Sequence, residues 1–158
     1  MTIDNQEDLD GLLRIGHVVA EARDAIVAVV QPGITTGELD ALGAEVFRRH
    51  GARSAPILDY RFPGTNCISV NDEAAHGIPS PTRVLHEGDL VNLEVSAELD
   101  GYYADTGISI GVGTVSGLAR NLLEAKPPSC TSVRLTASQQ SPLTGRIAVH
   151  LDRYVLAK

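Results

Sequence analysis

The sequence predicts an α/β fold of the α+β type, an antiparallel sheet with helices packed on one face. Residues 91 to 99 alternate between apolar side chains at odd positions and polar ones at even positions, which is typical of a half-buried strand. Asp100-Gly101 follows as a two-residue hairpin turn. Upstream, apolar residues recur at helical spacing in two stretches, and these helices are the available cover for the apolar face of the sheet.

Two helices are predicted in the first third of the chain. Apolar residues at helical spacing indicate a long helix over residues 8 to 30. A second helix is predicted over residues 36 to 50, because Thr35 and Glu38 form a capping box and Gly51 provides a C-terminal stop.

The strands are expected to follow these helices. Residues 54 to 66 contain prolines and a glycine and are predicted to be irregular chain that leads into a short strand at 67 to 70. The two strands of the hairpin are predicted at 90 to 99 and 102 to 110. A further helix is predicted over residues 116 to 123.

Composition excludes several classes of function. The chain has 158 residues, enough for one domain with a core, and 43% of them are hydrophobic. A net charge of -7 without any basic run argues against a nucleic-acid partner. Cys67 and Cys130 form no disulfide framework. No stretch suits a membrane span, and the acidic N-terminus is unlike a signal peptide, so we expect a cytoplasmic protein.

The hairpin carries a pair of carboxylates on its polar face. With the turn at Asp100-Gly101, Ser96 lies opposite Asp105, which makes Glu94 a diagonal neighbour of Asp105 on the same face. Diagonal neighbours are about 7–8 Å apart at the backbone, so their carboxylates can converge on a shared cation. Without a cation the two charges repel each other. These residues alone leave two interpretations open, a metal site and a solvated strand face.

Three motifs occur in order along the chain and share one resemblance. They are QPGITTGELD at residues 31 to 40, FPGTNCISVNDEAAHGIP at 62 to 79 and EGDLVNLEVSAELDGYYADTG at 87 to 107. Together they resemble the type I methionine aminopeptidases of the creatinase, or pita-bread, fold, over about residues 8 to 124. The resemblance implies a pita-bread-like half fold and a metallopeptidase that removes N-terminal methionine from peptides or nascent chains.

The resemblance also implies roles for particular residues. Glu94 and Asp105 would be ligands of two divalent metal ions, with cobalt, manganese, iron and zinc not distinguished. His76 would contact the substrate amide or the tetrahedral intermediate, where an imidazole can donate a hydrogen bond to a developing oxyanion. The pocket for the N-terminal methionine would be lined by Phe62, Cys67 and Tyr60. By residue type alone, Phe62 and Cys67 are equally suited to a plain core, and His76 to a loop.

The sequence departs from the family pattern in two ways. The family has aspartate where Glu94 stands, and the extra methylene extends the carboxylate and adds rotamer freedom. The resemblance also ends near Glu124, whereas the family chain continues into a second half that contributes one histidine and two glutamates to the metals.

We therefore predict two regions. Residues 1 to 124 are the N-terminal half of a creatinase-like or methionine aminopeptidase-like domain, and residues 125 to 158 are a divergent tail, partly loop or disordered, with a short helix at 145 to 156. The truncated chain is predicted to be weakly active or inactive and to form a homo-oligomer through an exposed sheet edge. Two alternatives stay open, a non-catalytic module that binds peptides or proteins and a decayed, truncated product.

Overall fold

The computed structural model describes residue 3, residues 5 to 124 and the backbone of residues 148 to 150. Within these residues the elements are, in chain order, α1 (Gln6–Val27), α2 (Thr36–His50), β1 (Arg53–Ser54), α3 (Ala55–Tyr60), β2 (Cys67–Val70), β3 (Leu90–Leu99), β4 (Tyr102–Gly111), α4 (Gly117–Glu124) and β5 (Ala148–His150). No helix in this part of the chain is long and apolar enough to cross a membrane.

Local capping determines where the first two helices begin. The Asn5 side chain accepts a hydrogen bond from the Asp8 amide at 2.9 Å, so α1 begins at Gln6, two residues before the predicted start, and it ends at Val27 rather than residue 30. The second helix spans residues 36 to 50 as predicted, and both hydrogen bonds of its capping box are formed between Thr35 and Glu38.

The sheet is built around the hairpin of β3 and β4. This pair is antiparallel, with Leu99 opposite Tyr102 and Ser96 opposite Asp105, which confirms the predicted register. On the other edge of β3, β1 pairs with its C-terminal end and β2 with its N-terminal half, both antiparallel. The last strand, β5, pairs parallel with β4, so the sheet is mixed rather than entirely antiparallel.

The two faces of the hairpin differ in their cover. α1 packs on the apolar face, which contributes the buried core residues Val91, Leu93, Val95, Ala97 and Ala104. On the same face, Nη1 of Arg23 in α1 donates a hydrogen bond to Oγ1 of Thr106 at 2.9 Å. α2 packs beside α1 and adds Leu39, Val46 and Phe47 to the core. The predicted arrangement of helices on one face is therefore confirmed for the hairpin, and the polar face lies opposite to α1.

The prediction of irregular chain at residues 54 to 66 was wrong in part, because α3 forms there. Ser54 caps α3 by accepting a hydrogen bond from the Ile57 amide at 3.4 Å. Pro56 lies in the first turn, where a missing amide hydrogen breaks no helical hydrogen bond. Arg61 then ends the helix in the left-handed conformation, at a φ of 54°. Pro56 is therefore compatible with the start of a helix, although it would interrupt a helix interior.

The predicted helix at residues 145 to 156 was also wrong where the structure describes it. Residues 148 to 150 form β5, which is paired with residues 103 to 105 of β4. A strand edge has unpaired backbone groups that can bind another segment. A short helix is only marginally stable by itself, so pairing with β4 is favoured over the weak helical pattern. The remaining residues of the predicted tail lie outside the described part of the chain.

Candidate functional site

The hairpin brings the two predicted carboxylates to one face. Glu94 pairs with Gly107, and Ser96 pairs with Asp105, so Glu94 and Asp105 are diagonal neighbours on the face opposite to α1. Such neighbours are about 7–8 Å apart at the backbone. The predicted placement of the two side chains on one face is confirmed by this register.

The residue opposite Glu94 leaves space for its longer side chain. A Cβ atom added to Gly107 would lie 4.0 Å from Cγ of Glu94 and 3.5 Å from the carbonyl oxygen of Leu93. Both distances are ordinary van der Waals contacts, so the glycine is not required by crowding. Its missing side chain leaves room above β4 that the additional methylene of Glu94 can use.

Cys67 lies directly beside this carboxylate pair. It is opposite Glu94 in the pairing of β2 with β3 and is only 6% exposed. Burial raises the pKa of the Cys67 thiol to about 11, and the negative charges of Glu94, Asp105 and Asp40 contribute to the same shift. The thiol is therefore protonated at neutral pH. Two of these charges belong to the carboxylate pair itself, so the thiol lies close to both Glu94 and Asp105.

The loop that carries His76 is attached to β2. The Ile68 amide donates to the carbonyl oxygen of Gly77 at 2.9 Å, and the Gly77 amide donates to Oγ of Ser69 at 3.0 Å. A Cβ atom at Gly77 would collide with the carbonyl oxygen of Ile68, so only glycine allows this approach. His76 precedes it in the left-handed conformation, at a φ of 53°, and is exposed. The histidine is thus held at the edge of β2 that does not face β3.

The predicted pocket residues lie in different environments. Phe62 is half-buried, and a Cβ atom added to Gly64 would lie 3.3 Å from the Phe62 ring and would collide with the ring of Pro79 in the His76 loop. Tyr60 ends α3 and is 77% exposed, so it does not form an enclosed wall. The structure therefore brings together Glu94, Asp105 and Cys67, and it places Phe62 and His76 on two segments that adjoin β2.

At the turn end of the hairpin, the polar face is covered by residues of α3. Burial raises the pKa of Tyr103, as do the negative charges of Asp59 in α3 and Glu98 in β3. The carboxylate of Glu98 is nearly buried and accepts a hydrogen bond from Nε of Arg53 at 2.7 Å. α3 therefore packs over the end of the polar face, close to the pocket residues that follow it in sequence.

Asp40 was not identified from the sequence as part of this region. Its side chain accepts hydrogen bonds from the Thr65 and Asn66 amides at 3.1 and 2.7 Å. These partners are 25 and 26 residues away along the chain, so local patterns give no sign of the contact. The one available signal was that Asp40 belongs to the first of the three motifs.

The described residues contain no group of three or more histidine, cysteine, aspartate or glutamate side chains that could hold a metal ion. Two carboxylates are hard oxygen ligands of the kind that divalent ions prefer in hydrolase sites. Their shared face and negative charge fit part of a metal site.

Comparison with known proteins gives close relatives. A Staphylococcus epidermidis protein named methionine aminopeptidase is 55% identical over 113 residues, which are 72% of this chain and 45% of that protein. A Bacillus subtilis protein named methionine aminopeptidase 2 is 51% identical over 113 residues, with the same coverage of 72% and 45%. The chain thus spans less than half the length of these relatives.

Solved structures of methionine aminopeptidases also resemble this chain over about half of their own length. Methionine aminopeptidase from Rickettsia prowazekii superposes with a TM-score of 0.72 at 35% identity, over 78% of this chain and 50% of that one. The Thermotoga maritima methionine aminopeptidase has a TM-score of 0.74 at 28% identity, again over 78% and 50%. The fold is therefore the pita-bread fold, of which this chain matches about half.

A family model extends the match along most of the chain. The model described as metallopeptidase family M24 matches residues 10 to 126, which include the hairpin, the His76 loop and the segment that carries Phe62. Together with the relatives that are more than half identical, this match shows that the chain belongs to metallopeptidase family M24.

Proposed function

We propose that the protein is a metal-dependent aminopeptidase of the methionyl type, which removes N-terminal methionine from peptides and nascent chains. One observation carries the proposal: Glu94 and Asp105 share a hairpin face beside Cys67, in a chain that is 55% identical to a methionine aminopeptidase over 113 residues. The chain spans 45% of that relative, so the activity of the whole relative is a proposal for this chain.

In this proposal Glu94 and Asp105 hold divalent metal ions, two per site. When bound, such ions act as Lewis acids that activate water and polarise the scissile carbonyl. The chain supplies two hard oxygen ligands on one face, and their negative charges attract cations. The donor set suits cobalt, manganese, iron and zinc alike, so the proposal does not choose between them.

The other residues of the site act on the peptide. His76 donates a hydrogen bond to the substrate amide or to the oxygen that becomes negative in the transition state. Phe62 and Cys67 provide apolar and weakly polar surface for a thioether side chain, which packs well against aromatic rings and sulfur. Tyr60 is exposed, so we assign it the outer rim of the pocket.

A second function, a non-catalytic module that recognises peptide N-termini, is favoured by one observation. The described residues offer no group of three or more metal-binding side chains, whereas a hydrolase site usually fixes a metal with at least three protein ligands. A binding module would keep the pocket and the fold but would not turn over its peptide.

Two further parts of the proposal concern the setting of the protein. We propose a cytoplasmic location, where nascent chains present their N-termini. We also propose a homo-oligomer formed through the outer edge of β4, since the described residues place no strand beside residues 107 to 111 of that edge.

The experiment combines metal titration with peptide hydrolysis. Calorimetric titration with Co²⁺ or Mn²⁺ measures binding, and hydrolysis of Met-Ala-Ser is followed with and without chelator. Metal binding that is lost in Asp105→Asn and kept in Asp10→Asn, an exposed carboxylate on α1, supports the aminopeptidase. Binding of the peptide without metal and without turnover supports the module. Failure to bind either metal or peptide contradicts both functions.

A further inference from the structure

Asp40 of α2 binds the chain just before it enters β2. Its Oδ2 accepts a hydrogen bond from the Thr65 amide at 3.1 Å, and its Oδ1 accepts one from the Asn66 amide at 2.7 Å. Oδ1 also accepts from Nδ2 of Asn66 at 3.0 Å. One carboxylate therefore receives three N–H groups from two consecutive residues, and charge-assisted hydrogen bonds of this kind are stronger than neutral ones.

The side chain of Asn66 shows how firmly this contact orients its partners. Asn66 is completely buried, and its Oδ1 is without a hydrogen-bond partner among the described residues. A buried, unsatisfied amide oxygen is unfavourable, so the amide is held in this orientation by the bonds from its nitrogen to Asp40. Gly43, three residues after Asp40, leaves the space for it, since a Cβ atom there would collide with Nδ2 of Asn66.

Thr65 is also bound through its carbonyl oxygen. Oγ of Ser54 donates a hydrogen bond to the carbonyl oxygen of Thr65 at 2.7 Å, so both the amide and the carbonyl of Thr65 are bound. Ser54 and Thr65 thereby close the ends of residues 55 to 64, which we call the pocket segment. This segment includes α3 and Phe62, and a Cβ atom at its Gly64 would collide with Pro79 in the His76 loop.

We propose that Asp40 is a positioning residue that determines selectivity for the N-terminal side chain of the substrate. It anchors the start of β2 to a rigid helix, which places Cys67 opposite Glu94 and presents Phe62 from the pocket segment at a constant distance from the carboxylates. This inference rests on the proposed function, because it assumes that the face between Phe62 and Cys67 receives a methionine side chain. Asp40 itself touches neither metal nor substrate.

The test compares two ligands and three variants. L-Methionine and L-leucine are titrated by NMR into the full chain loaded with Zn²⁺, a diamagnetic ion, and the ratio of their dissociation constants gives the selectivity. The variants are Asp40→Asn, Ser54→Ala and, as a control, Asp24→Asn, an exposed carboxylate on α1. Amide hydrogen exchange at Thr65 and Asn66 reports directly on the contact, and Zn²⁺ affinity reports on the hairpin carboxylates.

In Asp40→Asn we expect faster exchange at Thr65 and Asn66, a selectivity reduced by about tenfold and a Zn²⁺ affinity unchanged within about twofold, since small displacements of a pocket wall mainly affect the fit of the side chain. Ser54→Ala should reduce selectivity in the same direction, and it decides the question if Asp40→Asn does not fold. A wild-type protein that prefers methionine, with variants that keep the same preference, would overturn the inference. A wild-type protein without any preference would instead contradict the proposed function.

Discussion

At the scale of single residues, Glu94 combines a longer side chain with a position that has space for it. The residue opposite is Gly107, so the additional methylene is accommodated without a steric conflict across the strands. The disadvantage of the longer side chain is entropic rather than steric, because it would lose more rotamers on binding an ion. If the proposed metal site is present, residue 94 should affect the affinity for the metal more than the formation of the sheet.

We expect Glu94→Asp to bind Co²⁺ or Mn²⁺ more tightly, by roughly twofold to tenfold, because one side-chain torsion fewer has to be ordered. Asp105→Asn should lose the binding, since a neutral amide is a poor ligand beside a single remaining carboxylate. Calorimetric titration measures both changes, with circular dichroism to confirm folding. Weaker binding by Glu94→Asp would mean that the ion is located where only the longer side chain reaches.

The thiol of Cys67 should be chemically inert in the folded protein. Burial and the carboxylates Glu94, Asp105 and Asp40 raise its pKa to about 11, so very little reactive thiolate is present at neutral or mildly alkaline pH. In a Cys130→Ser background, we expect alkylation of Cys67 by iodoacetamide at about pH 8 to be at least about tenfold slower than in urea. Equal rates in the two conditions would contradict the burial and charge of this site.

At the scale of elements, β2 is the strand on which the site depends. It pairs with β3 on one edge and binds Gly77 on the other, so it connects the hairpin carboxylates to the His76 loop. The turn that leads into β3 is held in a similar way. The Asp89 carboxylate accepts a hydrogen bond from Nδ2 of Asn71 at 2.9 Å and another from the His86 amide at 2.8 Å.

Gly77→Ala should destabilise the fold by about 1–3 kcal/mol, because the new methyl group would overlap the backbone carbonyl of Ile68 and force the loop away from β2. Gly117→Ala is the matched control, since a Cβ atom at Gly117 meets nothing within 4 Å and the residue begins α4. Urea unfolding of both variants measures the difference. Equal stabilities would show that the loop is not packed against β2.

The Asp89 contacts predict a dependence of stability on pH. Burial opposes ionisation, but the hydrogen bonds from Asn71 and His86 outweigh it, so the pKa of Asp89 is lowered from 3.8. A carboxyl with a lowered pKa stabilises the fold above pH 3.8, and this contribution is lost as the pH falls through the folded pKa.

We expect Asp89→Asn to be less stable than the wild type by about 1–2 kcal/mol at neutral pH, and the gap to shrink as the pH falls below 3.8. Urea unfolding at a series of pH values measures the gap, and Asp72→Asn, exposed in the neighbouring turn, is the control. A gap that stays constant down to the lowest pH would contradict the assigned hydrogen bonds.

At the scale of the whole molecule, the described part of the chain leaves surface that favours association. β5 pairs with β4 only across residues 103 to 105. Large apolar side chains are also exposed near the site, among them Ile57, Leu58, Tyr60 and Ile78. Exposed strand edges and exposed apolar side chains both favour association between chains.

We therefore expect the chain to self-associate at tens of micromolar, as measured by light scattering coupled to size exclusion. Ser109→Lys, exposed in the stretch of β4 beside which the described residues place no strand, should shift the distribution towards the monomer, whereas Lys substitution of Glu7, exposed on α1, should not. A clean monomer for the wild type at these concentrations would contradict the prediction.

The features predicted correctly from the sequence are those whose causes lie within a few residues. The capping box of Thr35 and Glu38, the alternation over 91 to 99 and the Asp100-Gly101 turn are local, and their outcomes agree with the structure. The register of the turn also placed Glu94 and Asp105 on one face. Pro56 misled the interpretation of α3, because the same residue interrupts a helix interior and favours a helix start.

The sequence by itself determined the hairpin, its two faces and the pair of carboxylates, because strand alternation and turn geometry are set by neighbouring residues. Only the tertiary structure decided that Asp40 holds Thr65 and Asn66, that Gly77 approaches Ile68 and that residues 148 to 150 form a parallel strand. Each of these contacts lies outside the spacing of a helical turn or a two-residue hairpin turn, and each depends on backbone groups, which every residue carries and no side-chain pattern reveals.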